Sequence, residues 1–125
     1  MKDRRQPTAA ELEILQVLWS RGPSTVRDVA EATEREDSYT TVLKLLQIMT
    51  EKRLVRRDES SRTHVYEAAA SQDQTQRQIV ADVVDRVFAG SAGRLVLHAL
   101  AAGKATPEEM AEIRRLINAH KGGRR

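Results

Sequence analysis

The side chains best suited to chemistry lie together between residues 38 and 62. Thr40, Thr41, Lys44 and Gln47 recur at helical spacing, interleaved with Val42, Leu45, Leu46 and Met49 at i, i+3, i+4 and i+7. Turning the apolar set inward leaves two hydroxyls, an ammonium and an amide facing out, with Ile48 beside them. That set suits the base edges of a DNA major groove: Gln pairs with adenine, Lys with guanine, and Thr offers hydroxyl or methyl to either. Ser38 opens the segment, and Thr41, near the helix start, can bring a phosphate to exposed backbone amides. Taken alone, the same face is equally an ordinary solvated one. Leu43 also points away from the inner face, either to pack beneath a neighbouring element or to meet a thymine methyl. Further along, Arg56 and Arg57 occupy successive strand positions and must leave opposite faces. Arg56 and, foremost, Arg62 at a turn-rich tip are the expected backbone or minor-groove contacts. His64 reads as a surface strand residue, and Tyr66 as a ring packed on the sheet.

Catalysis finds little material. His64, His98 and His120 are scattered, with no His-x-x-x-His, no Glu-x-x-His and no nucleophile elbow. The absence of cysteine removes disulfides, thiol chemistry, Cys-ligated zinc, iron–sulfur clusters and copper–thiolate sensing together. Glu108 and Glu109 follow Thr106-Pro107 and read as charge at a helix start, with Pro at the first helical position. Gly90 and Gly93 form a breaker, not a phosphate loop. The sequence therefore predicts no enzyme, no cofactor and no metal.

Recognition side chains need a frame, and 125 residues suffice for one domain or two small units. Thr8-Ala-Ala-Glu11 reads as a capping box, followed by Leu12, Leu15, Leu18 and Trp19 on one helical face. Arg21-Gly22-Pro23 stops that helix, and Ser24 or Thr25 caps a short second one with Val26, Val29 and Ala30 inward. Glu34–Ser38 is a polar turn, and Ser38 or Thr40 caps the third helix. The period then changes: Leu54–Asp58 and Thr63–Glu67 are strand-like runs around Glu59-Ser-Ser-Arg62, an antiparallel hairpin. Three helices and a hairpin make the plan of a winged helix-turn-helix with the third helix as reader.

Charge is sorted rather than abundant. The net charge is +3, yet the first 70 residues hold 12 basic and 12 acidic side chains. Asp28–Asp37 carries five acids and one base, whereas Ser38–Arg57 carries five bases and one acid. That clustering, not the total, is the electrostatic footprint of the reader segment.

Beyond Ser71 the pattern is helical throughout. Ile79, Val80, Val83, Val84, Val87 and Phe88 form a wide apolar stripe, and Gly90–Gly93 breaks it. Leu95, Val96, Ala99 and Leu100 form a second apolar face, and Met110, Ile113, Leu116 and Ile117 line the last helix. Such a stripe cannot stay in water. It either packs back on the first unit or is shared between two chains, and about fifty residues in three helices favour sharing. The expected subunit interface is Ile79, Val80, Val83, Val84, Val87 and Phe88, joined by Leu97, Leu100, Ile113 and Ile117.

The segments Thr8–Ser20, Ser24–Ala32, Tyr39–Asp58, Arg62–Tyr66, Gly93–Leu100 and Thr106–Ile117, in this order and spacing, resemble the penicillinase-repressor (BlaI/MecI type) family of bacterial winged-helix repressors. The resemblance covers about residues 7 to 118. It implies an operator-binding N-terminal domain, a helical C-terminal dimerisation domain, and repression of β-lactamase or related resistance genes at inverted repeats. It also implies release when a sensor protease pathway cuts the repressor. Members of the family that begin the reading helix Ser-Pro-Lys-Thr match here at Ser38 and Thr41, while Thr40 replaces the Lys and Leu43 a following Arg. The Asn-Phe bond at which such members are cut corresponds to His98-Ala99, the candidate cleavage position. The copper-responsive branch uses C-terminal cysteine pairs that this chain lacks.

The expected architecture is mainly α with a small β hairpin: a winged helix-turn-helix over 1–70 and a helical dimerisation domain over 71–125. The expected partners are duplex operator DNA, a second copy of the chain and a sensor protease pathway, with no membrane, since no apolar run approaches about 18 residues. The start, MKDRRQPTAA, has no apolar segment of a secretory signal, so a cytoplasmic location is expected. The alternative is a winged-helix adaptor whose hairpin and third helix meet another protein.

Overall fold

Thr8 opens the first helix as a capping box. Its hydroxyl accepts from the Glu11 amide at 3.1 Å, and the Glu11 carboxylate accepts from the Thr8 amide at 2.9 Å. The computed structural model describes residues 6–33 and 39–123. Helix α1 runs Ala9–Arg21 and stops where Gly22 takes φ +87°, which a side chain would strain. Helix α2, Val26–Ala32, repeats the device with Thr25 and Asp28, which settles its cap on Thr25 rather than Ser24. Hydrogen bonds from the Thr25 backbone and hydroxyl hold the Asp28 carboxyl below its ordinary pKa. Helix α3, Tyr39–Glu51, takes Thr40 into its first turn, so Thr40 is not its cap. Ser38, the other expected cap, lies outside the described residues with the rest of the turn Glu34–Ser38.

The three helices share one core. Ile14, Leu15 and Leu18 of α1, Val26 and Val29 of α2, and Val42, Leu46 and Met49 of α3 are buried together with Val55 and Tyr66 of the hairpin. At the end of α3 the chain turns through a Schellman motif. The Leu54 amide donates to the Met49 carbonyl and the Arg53 amide to that of Thr50, with Arg53 at φ +67°. This turn delivers strand β1, Val55–Asp58, which pairs antiparallel with β2, Val65–Ala68. Ser24 adds a bridge on β2: its amide donates to the Tyr66 carbonyl at 2.9 Å and its carbonyl accepts from the Tyr66 amide at 2.8 Å. The turn between α1 and α2 is thereby stitched to the hairpin, a link the sequence pattern did not announce.

Two further ties are long-range. The Trp19 indole N–H donates to the Ala70 carbonyl at 3.0 Å, fixing the exit of the hairpin against α1. Lys52 Nζ lies 2.6 Å from the Glu11 carboxylate, whose side chain is only 3% exposed against 19% for Lys52. This pair clamps the start of α1 to the residue just beyond α3. Lys52→Met leaves a buried carboxylate with its capping bond alone, and the expected loss is about 2–3 kcal/mol of stability. The figure lies under that of a fully buried pair because Lys52 keeps contact with water. Chemical denaturation checks it: an unchanged midpoint would mean the pair contributes nothing.

The chain divides into two compact units, Met1–Val80 and Ala81–Arg125. Helix α4, Gln72–Val87, starts on a Ser71–Gln74 box and ends where Ala89 and Gly90 both take positive φ. Ser91 caps helix α5, Ala92–Ala101, so Gly93 sits in its first turn and the break falls at 88–91, two residues earlier than the expected Gly90–Gly93. Gly103, at φ +74°, ends that helix region. Helix α6, Pro107–Gly123, begins with Pro107 at its first position and a Thr106–Glu109 capping box. Mainly helical with one two-stranded hairpin, the chain has the winged helix-turn-helix plus C-terminal helices that the sequence predicts.

Candidate functional site

On α3 the two faces separate cleanly. Val42, Leu46 and Met49 are buried, Leu43 and Leu45 half-buried, and Thr40, Thr41, Lys44, Gln47 and Ile48 exposed. The buried side locks the rotation of the helix, so the exposed hydroxyls, ammonium and amide form a fixed polar row. Leu43 turns toward the hairpin side and helps to line a cleft with Tyr66 and His64.

The hairpin alternates as a strand pair must. Val55 pairs with Ala68 and Arg57 with Tyr66 on the face carrying the buried side chains, while Arg56 pairs with Glu67 on the other face. Arg56 is engaged there, 3.4 Å from the Glu67 carboxylate and 3.3 Å from the Ala69 carbonyl. Arg57 is held by a hydrogen bond with Tyr66, which raises its pKa, and by the Glu59 carboxylate at 2.5 Å. Arg62, past the end of β1, is exposed and lines the cleft beside α3. The structure therefore groups Arg62 with α3 and puts Arg56 on the opposite face of the hairpin. Ser38 falls outside the described residues.

Sequence reasoning missed two members of this region, Arg27 on α2 and Tyr39 at the start of α3, both exposed and both lining the same cleft. A single Arg on a short helix has no local signal; it gains meaning only when α2 is set beside the hairpin.

The C-terminal helices are the opposite case, apolar and uncovered. Along α4 Ile79, Val83 and Val84 are half-buried and Val80 and Val87 exposed, and Phe88, just past its end, is half-buried. On α5 Leu97 is 68% exposed and Leu100 half-buried, and on α6 Ile113 is half-buried and Ile117 55% exposed. Through His120, no residue of these three helices is buried. His98 stacks at a tilt on Phe88 with centroids 5.5 Å apart. The His98-Ala99 bond lies inside α5, where the His98 carbonyl accepts from the Ala102 amide at 3.1 Å. Among the described residues no group of His, Asp and Glu could hold a metal ion, and no helix is long and apolar enough to cross a membrane.

Compared with models of protein families, residues 7–119 match the one described as Penicillinase repressor, nearly the whole chain. No curated protein matches the chain.

Proposed function

This chain belongs to the penicillinase repressor family, a family of DNA-binding transcriptional repressors, and from that premise we propose that it acts as a homodimer on an inverted-repeat operator. Residues 1–70 form the reader and 71–125 the assembly domain. The observation that carries the reading is the fixed polar row of α3, opposite a buried face that leaves it no freedom to rotate. Lys44 and Gln47 read base edges, Thr40 and Thr41 stand near the helix start, and Arg62 holds the backbone from the hairpin. Ser38 and Arg56 complete the proposed contact set, Arg56 once it leaves Glu67. The genes controlled are of the β-lactamase or related resistance type that the family name points to.

Assembly follows from the uncovered aliphatic stripe. Ile79, Val80, Val83, Val84, Val87 and Phe88, with Leu97, Leu100, Ile113 and Ile117, meet their counterparts in a second copy. Two readers then engage one inverted repeat, half-sites a helical turn or a multiple of it apart. Release by a sensor protease pathway at His98-Ala99 has a physical condition. A protease takes its substrate extended, and this bond is helical, so α5 must open before it is cut.

The operator is best sought in the DNA upstream of the protein's own gene. Gln47→Ala is expected to relax preference at one base pair per half-site, by about 1–3 kcal/mol, while binding to unrelated duplex stays unchanged. Competition binding with single-base operator variants measures this. Equal loss on operator and unrelated duplex would mean that α3 does not present Gln47 to the bases.

A further inference from the structure

The cleft bordering α3 has a volume of about 520 Å³ and draws its walls from three elements: Arg27 from α2, Tyr39 and Leu43 from α3, and Arg62, His64 and Tyr66 from the hairpin. Its base is apolar, since Tyr66 is buried and Leu43 half-buried, whereas Arg27, Tyr39, Arg62 and His64 are exposed at its rim. Charge is unbalanced there. On the hairpin, Arg56 and Arg57 each have a carboxylate, Glu67 and Glu59. Among the described residues Arg27 and Arg62 have none. Asp28, next to Arg27, is committed to capping α2.

We propose that this cleft is a phosphate seat in which Arg27 and Arg62, from two different elements, close on one phosphate of the DNA backbone. The inference rests on the DNA-binding reading above and deepens it by adding Arg27 as a contact. Two guanidiniums facing one space repel, and an oxyanion between them turns that repulsion into attraction. Guanidinium is the group whose planar fork fits phosphate oxygens. The Tyr39 hydroxyl and the His64 ring add donors at the rim. A phosphate held here ties α2 and the hairpin to the duplex at once and so fixes how α3 enters the groove. That is the positioning role of backbone contacts, distinct from base reading.

The test uses the full chain and a mixed-sequence duplex of about 30 base pairs, long enough for both half-sites. Arg27→Gln is expected to weaken duplex binding about tenfold with unchanged thermal unfolding, and removal of both arginines to lower the salt slope by about 0.9 per reader. Adding Arg62→Gln should cost less than the product of the two single effects, because both side chains serve one phosphate. Wild-type affinity in Arg27→Gln, with wild-type protein still binding duplex, would remove the seat and leave the DNA reading standing. Failure of the wild-type protein to bind any duplex would remove both. Inorganic phosphate at constant ionic strength separates the other source of the same chemistry. It should compete no better than chloride. Strong competition that Arg27→Gln abolishes while duplex affinity holds would make the occupant a free oxyanion and overturn the proposal.

Discussion

Val84→Asp is expected to turn dimers into monomers. Val84 lies half-buried at the middle of the α4 stripe, with Val83 and Phe88 alongside and Val87 67% exposed. Through His120 the three C-terminal helices hold no buried residue, so their aliphatic surface has no interior of its own. Covering it with a second copy gains about 25 cal/mol for each Å² of apolar surface removed from water. A carboxylate placed among these aliphatic side chains would lose its water, and burying it costs several kcal/mol, more than a modest interface can absorb. Operator affinity should fall with the dimer by roughly 10²–10⁴, because the second reader no longer benefits from being tethered to the first. Sedimentation reads the outcome. A dimer that survives Val84→Asp would mean that the stripe is covered within one chain.

What the sequence discloses is local, and the reasons are physical. The Thr8–Glu11 box, the inward set Val42, Leu46 and Met49, the hairpin and the Thr106-Pro107 helix start all rest on spacings of two to seven residues. Periodicity and capping chemistry report such spacings directly. Glu11 to Lys52, Trp19 to Ala70 and Ser24 to Tyr66 were not legible, because each joins residues about forty or more apart through only one or two bonds. No periodic pattern encodes a contact of that kind. Arg53 is another example: a left-handed turn residue is ordinarily signalled by Gly or Asn, and here an Arg occupies it. On the candidate site the outward row of α3 could be read from the heptad-like spacing alone. Arg62 is preferred from its place at the hairpin tip, but the engagement of Arg56 and Arg57 by the carboxylates of Glu67 and Glu59, across and along the hairpin, could not be read. Arg27 stayed hidden for the same reason, as its neighbours come from other elements.

The most direct test of the account is the affinity of the intact protein for duplex DNA as salt is raised. In the proposed complex Lys44, Arg62 and Arg27, with a few more bases from each reader, would neutralise roughly 6–10 phosphates per dimer, and each contact would release condensed counterions. Binding should therefore weaken by about 10³–10⁵ between 50 and 200 mM monovalent salt, equivalent to some 4–7 kcal/mol, on operator and unrelated duplex alike. The first 70 residues carry no net charge, so this dependence must come from the local clustering of bases on and beside α3. A steep, linear fall of log affinity with log salt is the predicted result. A flat response, or no binding at low salt, would contradict the assignment of α3 and the hairpin to DNA and favour a protein as their partner.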